Sequence, residues 1–302
     1  MTDNVIRTER LTKSYGKSRG VVDLDITVNC GEIYGYLGPN GAGKTTTIRT
    51  LLDFIRPTRG RVTVFGLDAH ADSLAIRRRV GYLPGELSLY KDMTGHGFLR
   101  YMAGLRGGVE WKYVETLAGH LACNLAQPIR TLSHGNKQKL GLVQAFMHKP
   151  ELLILDEPTQ GLDPLVQQRF YHLLAEARAA GRTVFLSSHV LPEVAKTCDR
   201  VGIIREGRLV AVEQVAALKA KALRRLEIRF AAAVPPAVFA GLPGVRDVRV
   251  ENGALHCTVV GPLDLVVKTA AQFEVVDLVS HEPSLEEVFL AHYSSEEAGG
   301  RT

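Results

Sequence analysis

The 302 residues are 45% hydrophobic and 23% charged with 29 glycines, an ordinary globular composition that excludes disorder, collagen-like repeats and a fibrous coiled coil. A mean hydropathy of +0.01, with no run near the ~20 apolar residues of a membrane-spanning helix, excludes a bilayer span within this chain. Charge is uneven: residues 1–222 hold 30 Lys and Arg against 21 Asp and Glu, while residues 223–302 hold 7 against 11. A basic excess suits nucleotides, nucleic acid, anionic headgroups or only a solvated face, and charge does not choose among them. Residues 1–9 are polar and carry Asp3 and Glu9, so they lack the apolar centre of a secretory signal. The cysteines at 30, 123, 198 and 257 form no Cys-x-x-Cys, which signals neither a zinc site nor a disulfide framework and fits a reducing cytosol. The length provides for one large core and one small one, or two of medium size.

In chain order, the first strong element is the apolar run 33–37, read as a strand, followed by a glycine-rich loop and a helix over 46–54. Residues 93–148 have helical periodicity without a convincing strand and read as a helical insert. Leu152-Leu153-Ile154-Leu155 and Val184-Phe185-Leu186 are apolar on both faces, as buried parallel strands are. Between them Asp163-Pro164 can cap and start a helix whose Phe170, Leu173, Leu174 and Ala177 share one face, ending at Gly181. This β-α-β unit predicts an α/β sheet. An Ala/Lys-rich surface helix over 214–222 follows. The tail then reads as strand 225–231, helix 235–241, strands 245–251 and 254–260 joined by Asn252-Gly253, helix 263–272 and strand 274–280. A last helix begins with the capping-box spacing Ser284 to Glu287, with Leu285, Val288 and Phe289 on one face. The order β-α-β-β-α-β predicts a small ferredoxin-like α+β domain.

Gly38-Pro39-Asn40-Gly41-Ala42-Gly43-Lys44-Thr45 fits G-x-x-x-x-G-K-[ST] between a strand and a helix. In such a P-loop, glycines let the backbone turn its N–H groups toward phosphate oxygens and the helix adds its positive end. Lys44 is expected to reach the β- and γ-phosphates and Thr45 to ligate Mg²⁺, with Thr46 beside it. Asp156 and Glu157 arrive at the carboxyl end of a buried strand, where α/β sheets place their ligand chemistry. Two roles suit two adjacent acids: Asp156 on Mg²⁺, Glu157 on the water that attacks the γ-phosphate. Alternatively the pair caps a helix in the Asp-Glu-Pro turn.

A GTPase would carry Asn-Lys-x-Asp, and Asn136-Lys137 is followed by Gln138 and Lys139. Leu132-Ser133-His134-Gly135-Asn136, Asp156-Glu157-Pro158, Gly161-Leu162-Asp163 and His189, in that order after the P-loop, resemble the ATP-binding subunit of an ABC transporter over residues 4–213. The resemblance implies that Tyr15 stacks on adenine, that Ser133 and Gly135 close on the γ-phosphate of ATP held by a second subunit, and that His189 contacts the γ-phosphate. Asp163 would couple the two sites, cap its helix, or do both. It also implies a sandwich dimer with a second copy or a similar subunit, and a multi-helix membrane permease that this chain would serve from the cytoplasmic face. No nucleic-acid partner is expected.

Two departures stand out. Where the family supplies a glutamine after Val80-Gly81-Tyr82-Leu83-Pro84, this chain has Gly85-Glu86, and Glu86 would partly replace it at water or metal. His134 and Asn136 replace the usual Gly and Gln of the signature, while Ser133 and Gly135 keep its hydroxyl and close backbone approach. The short insert and the ending Pro283-Ser284-Leu285-Glu286-Glu287-Val288-Phe289 look most like ATPases of bacterial drug-resistance exporters, with a drug or lipid-like substrate. The division expected is 1–215 for the ATP-binding domain with its helical subdomain at about 90–148, 216–223 for a linker, 224–294 for the accessory domain and 295–302 for a tail. The competing readings are a non-transport ATPase of this family acting on ribosomes or DNA, and a nucleotide-dependent regulatory module.

Overall fold

A computed structural model describes residues 4–16, 18–217 and 224–281. The chain separates into two compact units, 1–213 and 214–302. The helix predicted to open at Gln214 starts one residue later: Gln214 is the last residue of a strand, and helical backbone starts at Val215.

In the first unit two sheets pack together. One is antiparallel, in the order β2 (Ser18–Leu24), β1 (Asn4–Tyr15), β5 (Arg59–Val64), β6 (Leu67–Asp68), with β3 (Thr27–Asn29) also on β1. Sequence reading did not find these strands. Their apolar alternation is broken where Arg10 and Asp23 take left-handed φ of 46° and 50°, with register shifts along all three pairings of β1. The other sheet runs β11 (Arg208–Gln214), β10 (Arg200–Arg205), β4 (Ile33–Leu37), β9 (Thr183–Ser188), β8 (Leu152–Asp156), β7 (Val80–Leu83), and its pairings from β10 to β7 are parallel. Strands β4, β8 and β9 are buried along their whole length, which is why they read as unbroken apolar runs.

Phe185 of β9 holds the two sheets' shared core: it stacks on Tyr34 at 5.8 Å and tilts against Tyr36 at 5.3 Å, all three with 0% exposure. Helix α1 (Lys44–Leu51) follows β4 and ends three residues before the predicted limit, because Asp53 is left-handed at φ 55°. Helix α2 (Ser73–Arg79) leads into β7. The insert consists of α3 (Gly95–Leu105), capped by Thr94, then α4 (Trp111–His120), a 3₁₀ turn at Ile129–Thr131 and α5 (His134–Phe146). Helix α6 (Pro164–Ala179) starts at the Asp163 cap with proline in its first turn and ends before left-handed Gly181. Helix α7 (Leu191–Thr197) follows β9.

The second unit has β12 (Arg224–Phe230), α8 (Ala237–Ala240), β13 (Val245–Glu251), β14 (Ala254–Val259), α9 (Asp264–Ala270) and β15 (Val275–His281), in the predicted β-α-β-β-α-β order. Its antiparallel sheet is ordered β13-β14-β12-β15. Leu226, Ile228, Phe239, Leu255, Val259 and Val266 form its core. The predicted helix with Ser284, Leu285, Glu287, Val288 and Phe289, the tail 295–302 and most of the linker lie outside the described residues.

Two expectations follow. Phe185→Ala leaves a cavity between two buried tyrosines and costs about 3–5 kcal/mol in denaturant unfolding; a loss below about 1 kcal/mol would refute the ring's place at the centre of the core. The second concerns His148, whose Nε2 donates to the Val80 carbonyl at 3.2 Å. Burial, and then the Arg106 guanidinium, hold its pKa down at about 4, below the ~6.5 of a free imidazole. The folded state therefore resists a proton the unfolded chain takes up. Its contribution is whole above about pH 6.5 and is lost as pH falls toward 4. His148→Gln is expected to lose less of its thermal midpoint across that window than the wild type, and equal pH slopes would count against the assignment.

Candidate active site

Strands β4, β9 and β8 lie side by side and parallel, so the loops at their carboxyl ends converge. The loop after β4 turns through Gly41 and Gly43 at φ 79° and 110°. At Gly43 a Cβ would sit 2.6 Å from Val21 Cγ1, so glycine is required by conformation and by space together. Gly38 and Ala42 are buried, while Pro39, Asn40 and Gly41 face outward. Helix α1 begins at Lys44 with no side-chain cap and no acid in its first turn, leaving its positive end free for an anion.

Lys44 has 6% side-chain exposure. Its ammonium folds back over the loop and donates to the Gly38 carbonyl at 2.6 Å and the Pro39 carbonyl at 3.2 Å. It also lies 3.1 Å from Glu157 Oε1. Glu157 Oε2 meets His189 Nδ1 at 2.7 Å. A carboxylate only accepts, so Nδ1 of His189 carries the hydrogen. Glu157 thus bridges a buried cation and a half-exposed imidazole from a left-handed backbone, φ 50°, whose N–H donates to the Ser187 carbonyl at 3.2 Å.

Asp156 has no exposed surface. Thr45 Oγ1 donates to its Oδ2 at 2.8 Å and Ser187 Oγ donates to its Oδ1. The cross-strand register that pairs Asp156 with Ser187 makes this contact, and sequence reading, which singled out His189 but not Ser187, missed it. Hydroxyl and carboxylate together form a hard-oxygen pair suited to Mg²⁺, which is commonly held by one or two protein oxygens with waters and phosphate supplying the rest. Gly85 is the loop residue against Asp156, its Cβ position 3.2 Å from Oδ2. Glu86 is exposed, and its carboxylate makes no hydrogen bond or ion pair among the described residues.

A second group gathers at the start of α5. Ser133 caps the helix, accepting from the Asn136 amide at 3.3 Å. A Cβ at Gly135 would lie 2.3 Å from the Gly161 carbonyl, so the two backbones approach as only glycine allows. Asp163 accepts from the Val166 amide at 3.0 Å and pairs with Lys139 at 3.5 Å; the Val166 amide holds its carboxyl below the usual range. Among the described residues no hydrogen bond joins Ser133 or Gly135 to the Gly38–Thr46 segment. Tyr15 stands apart at the end of β1, 45% exposed, with the Lys13 ammonium 5.3 Å from its ring centre. Lys44, Thr45, Asp156, Glu157 and His189 therefore form one connected cluster, and Ser133, Gly135 and Asp163 another.

The family model described as ABC transporter matches residues 21–160. The chain is 41% identical over 211 residues to the bacitracin transport ATP-binding protein BcrA of Bacillus licheniformis, covering 68% of each chain. It is 31% identical over 303 residues to the linearmycin resistance ATP-binding protein LnrL of Bacillus subtilis, covering 95% of this chain and 97% of the relative. Among solved structures, one described as the ATP-binding subunit of an ABC transporter superposes with a TM-score of 0.65 at 30% identity, covering 71% of this chain and 92% of that one.

Ser187→Ala takes a hydroxyl from a fully buried carboxylate oxygen. Unfolding in urea should show a loss of about 1–3 kcal/mol; a change under about 0.5 kcal/mol would mean that Oδ1 is satisfied in another way.

Proposed function

The chain belongs to the ABC transporter ATP-binding family, and we propose that its Lys44–Glu157–His189 cluster carries the ATPase activity of that family to drive a separate membrane permease. The observation that supports this most directly is the bridging carboxylate of Glu157, 3.1 Å from Lys44 and 2.7 Å from His189. An arriving phosphate competes with Glu157 for Lys44. The loop amides and the start of α1 offer the γ-phosphate further donors, and the carboxylate released from Lys44 is placed to accept from the attacking water. His189 holds that carboxylate from its other side. Thr45 and Asp156 would hold Mg²⁺, which supplies charge neutralisation at the phosphates.

Ser133 and Gly135 lie outside the Lys44 cluster, and the reading that accounts for both groups is a two-fold dimer in which each signature loop completes the partner's site. Tyr15 would stack on adenine. Asp163, already the cap of α6, would face the dimer seam. Among the described residues no helix is long and apolar enough to cross a membrane, so the transport path is assigned to another chain that this one joins at the cytoplasmic face. The relatives named for bacitracin transport and linearmycin resistance support export of a drug or lipid-like compound.

Glu157→Gln should retain ATP binding and lose turnover by at least ~100-fold, consistent with the size of catalytic positioning effects, and should accumulate as a dimer with ATP and Mg²⁺ on a sizing column. Lys44→Ala should lose ATP binding. Wild-type turnover in Glu157→Gln would remove the assigned role, and a variant that stays monomeric with saturating ATP would remove the dimer.

A further inference from the structure

Gln138 lies on α5, five residues after Ser133, and is 1% exposed. Its carboxamide is directed at the chain just past β8, where Nε2 donates to the main-chain carbonyls of Glu157 and Pro158, each at 3.2 Å. Two carbonyl oxygens at one end of the amide admit only the NH₂ there, so its orientation is determined. The other end, Oε1, is buried with no hydrogen-bond partner. An apolar side chain of the same length would fill this space without stranding an oxygen, so packing alone does not account for an amide here.

The residue it holds has a strained backbone. Glu157 keeps a left-handed φ of 50° that side-chain-bearing residues adopt only when their surroundings impose it. Ser187 restrains its N–H and Gln138 its C=O. Together they fix the peptide units on both sides, and with them the direction in which the carboxylate leaves the backbone. The same turn of α5 meets the following loop at two more points, Lys139 on Asp163 and Gly135 against Gly161.

We propose that Gln138 is a positioning residue for ATP hydrolysis: it clamps Glu157 in the conformation that aims its carboxylate and makes that aim one mechanical unit with the Ser133–Gly135 loop. The inference rests on the proposed roles of Glu157 and of the signature loop. In the dimer, seating that loop on the partner's nucleotide would then bear directly on the base of this chain's own site.

The test uses the full chain with two substitutions. Gln138→Met keeps the length and removes both donors. Gln138→Glu keeps the shape and can donate one hydrogen bond only when protonated. For Gln138→Met, kcat is expected to fall about 10- to 100-fold, the size of a small misplacement of a reacting group, while the KM for ATP stays within about twofold of wild type. For Gln138→Glu, the ratio of its kcat to the wild-type kcat at the same pH should rise as pH falls. Gln138→Met with kcat within about twofold of wild type overturns the proposal. So does a loss of kcat that runs in parallel with ATP affinity and thermal midpoint, which is the signature of an amide that only supports the fold. If Gln138→Met does not fold, a flat pH ratio for Gln138→Glu overturns it. A wild-type chain that fails to hydrolyse ATP would instead remove the functional reading beneath it.

Discussion

A carboxylate with no exposed surface persists inside a sheet only if its oxygens are occupied, and Asp156 sets that condition for everything around it. Its two oxygens are met by hydroxyls from different elements: Thr45, from the first turn of α1, and Ser187, from β9. Satisfying one buried charge therefore fixes the glycine-rich loop, the end of β8 and the end of β9 against each other. The parallel order β4-β9-β8 and the register of Asp156 with Ser187 are what make both contacts reachable. Of the two hydroxyls, that of Thr45 belongs to the first turn of α1, so the helix start that follows the loop is itself held by the buried charge.

Glu157, one residue on, is under the opposite condition. Its carboxylate is only partly shielded, and its partner Lys44 is nearly buried. Removing one member of such a pair outright costs about 3–5 kcal/mol, because the other charge is left bare. A polyphosphate that takes over Lys44 replaces the lost partner with more negative charge, so the ammonium loses nothing, and Glu157 keeps His189. The ion pair thus holds the lysine folded over the loop, and on the proposed reading it would give way to a phosphate at that loop.

Much of this was legible in the sequence because the signals are local. The Gly38–Thr45 loop, the acids after Leu152–Leu155, the Asp163-Pro164 helix start and the Asn252-Gly253 hairpin each depend on a few adjacent residues. What escaped reading depends on long-range register. The antiparallel sheet around β1 is bulged, so its alternation is interrupted at Arg10 and Asp23. Ser187 gains its role from the strand opposite it, and Gln138 from a backbone 19 residues away. An amide in the middle of a helix carries no signal of its own; only the orientation of α5 reveals that it is buried and directed at a strained residue.

The basic excess of residues 1–222 likewise looks different once the cations are located. Many are used in the fold: Arg79 pairs with Glu151 and covers the Phe65 ring at 3.7 Å, Arg200 pairs with Glu32, Arg178 with Asp199, and Arg100 lies 3.6 Å from the centre of the Trp111 ring. The cluster around Glu157 contains a single lysine and no arginine among the described residues. Attraction for a polyphosphate there cannot come from pooled side-chain charge. On the proposed reading it would rest on the one ammonium of Lys44 together with the start of α1, which has no side-chain cap and no acid in its first turn and whose partial positive charge loses no side-chain entropy when a ligand arrives. The net charge, which suited an anionic partner and a solvated face alike, therefore says little about this site.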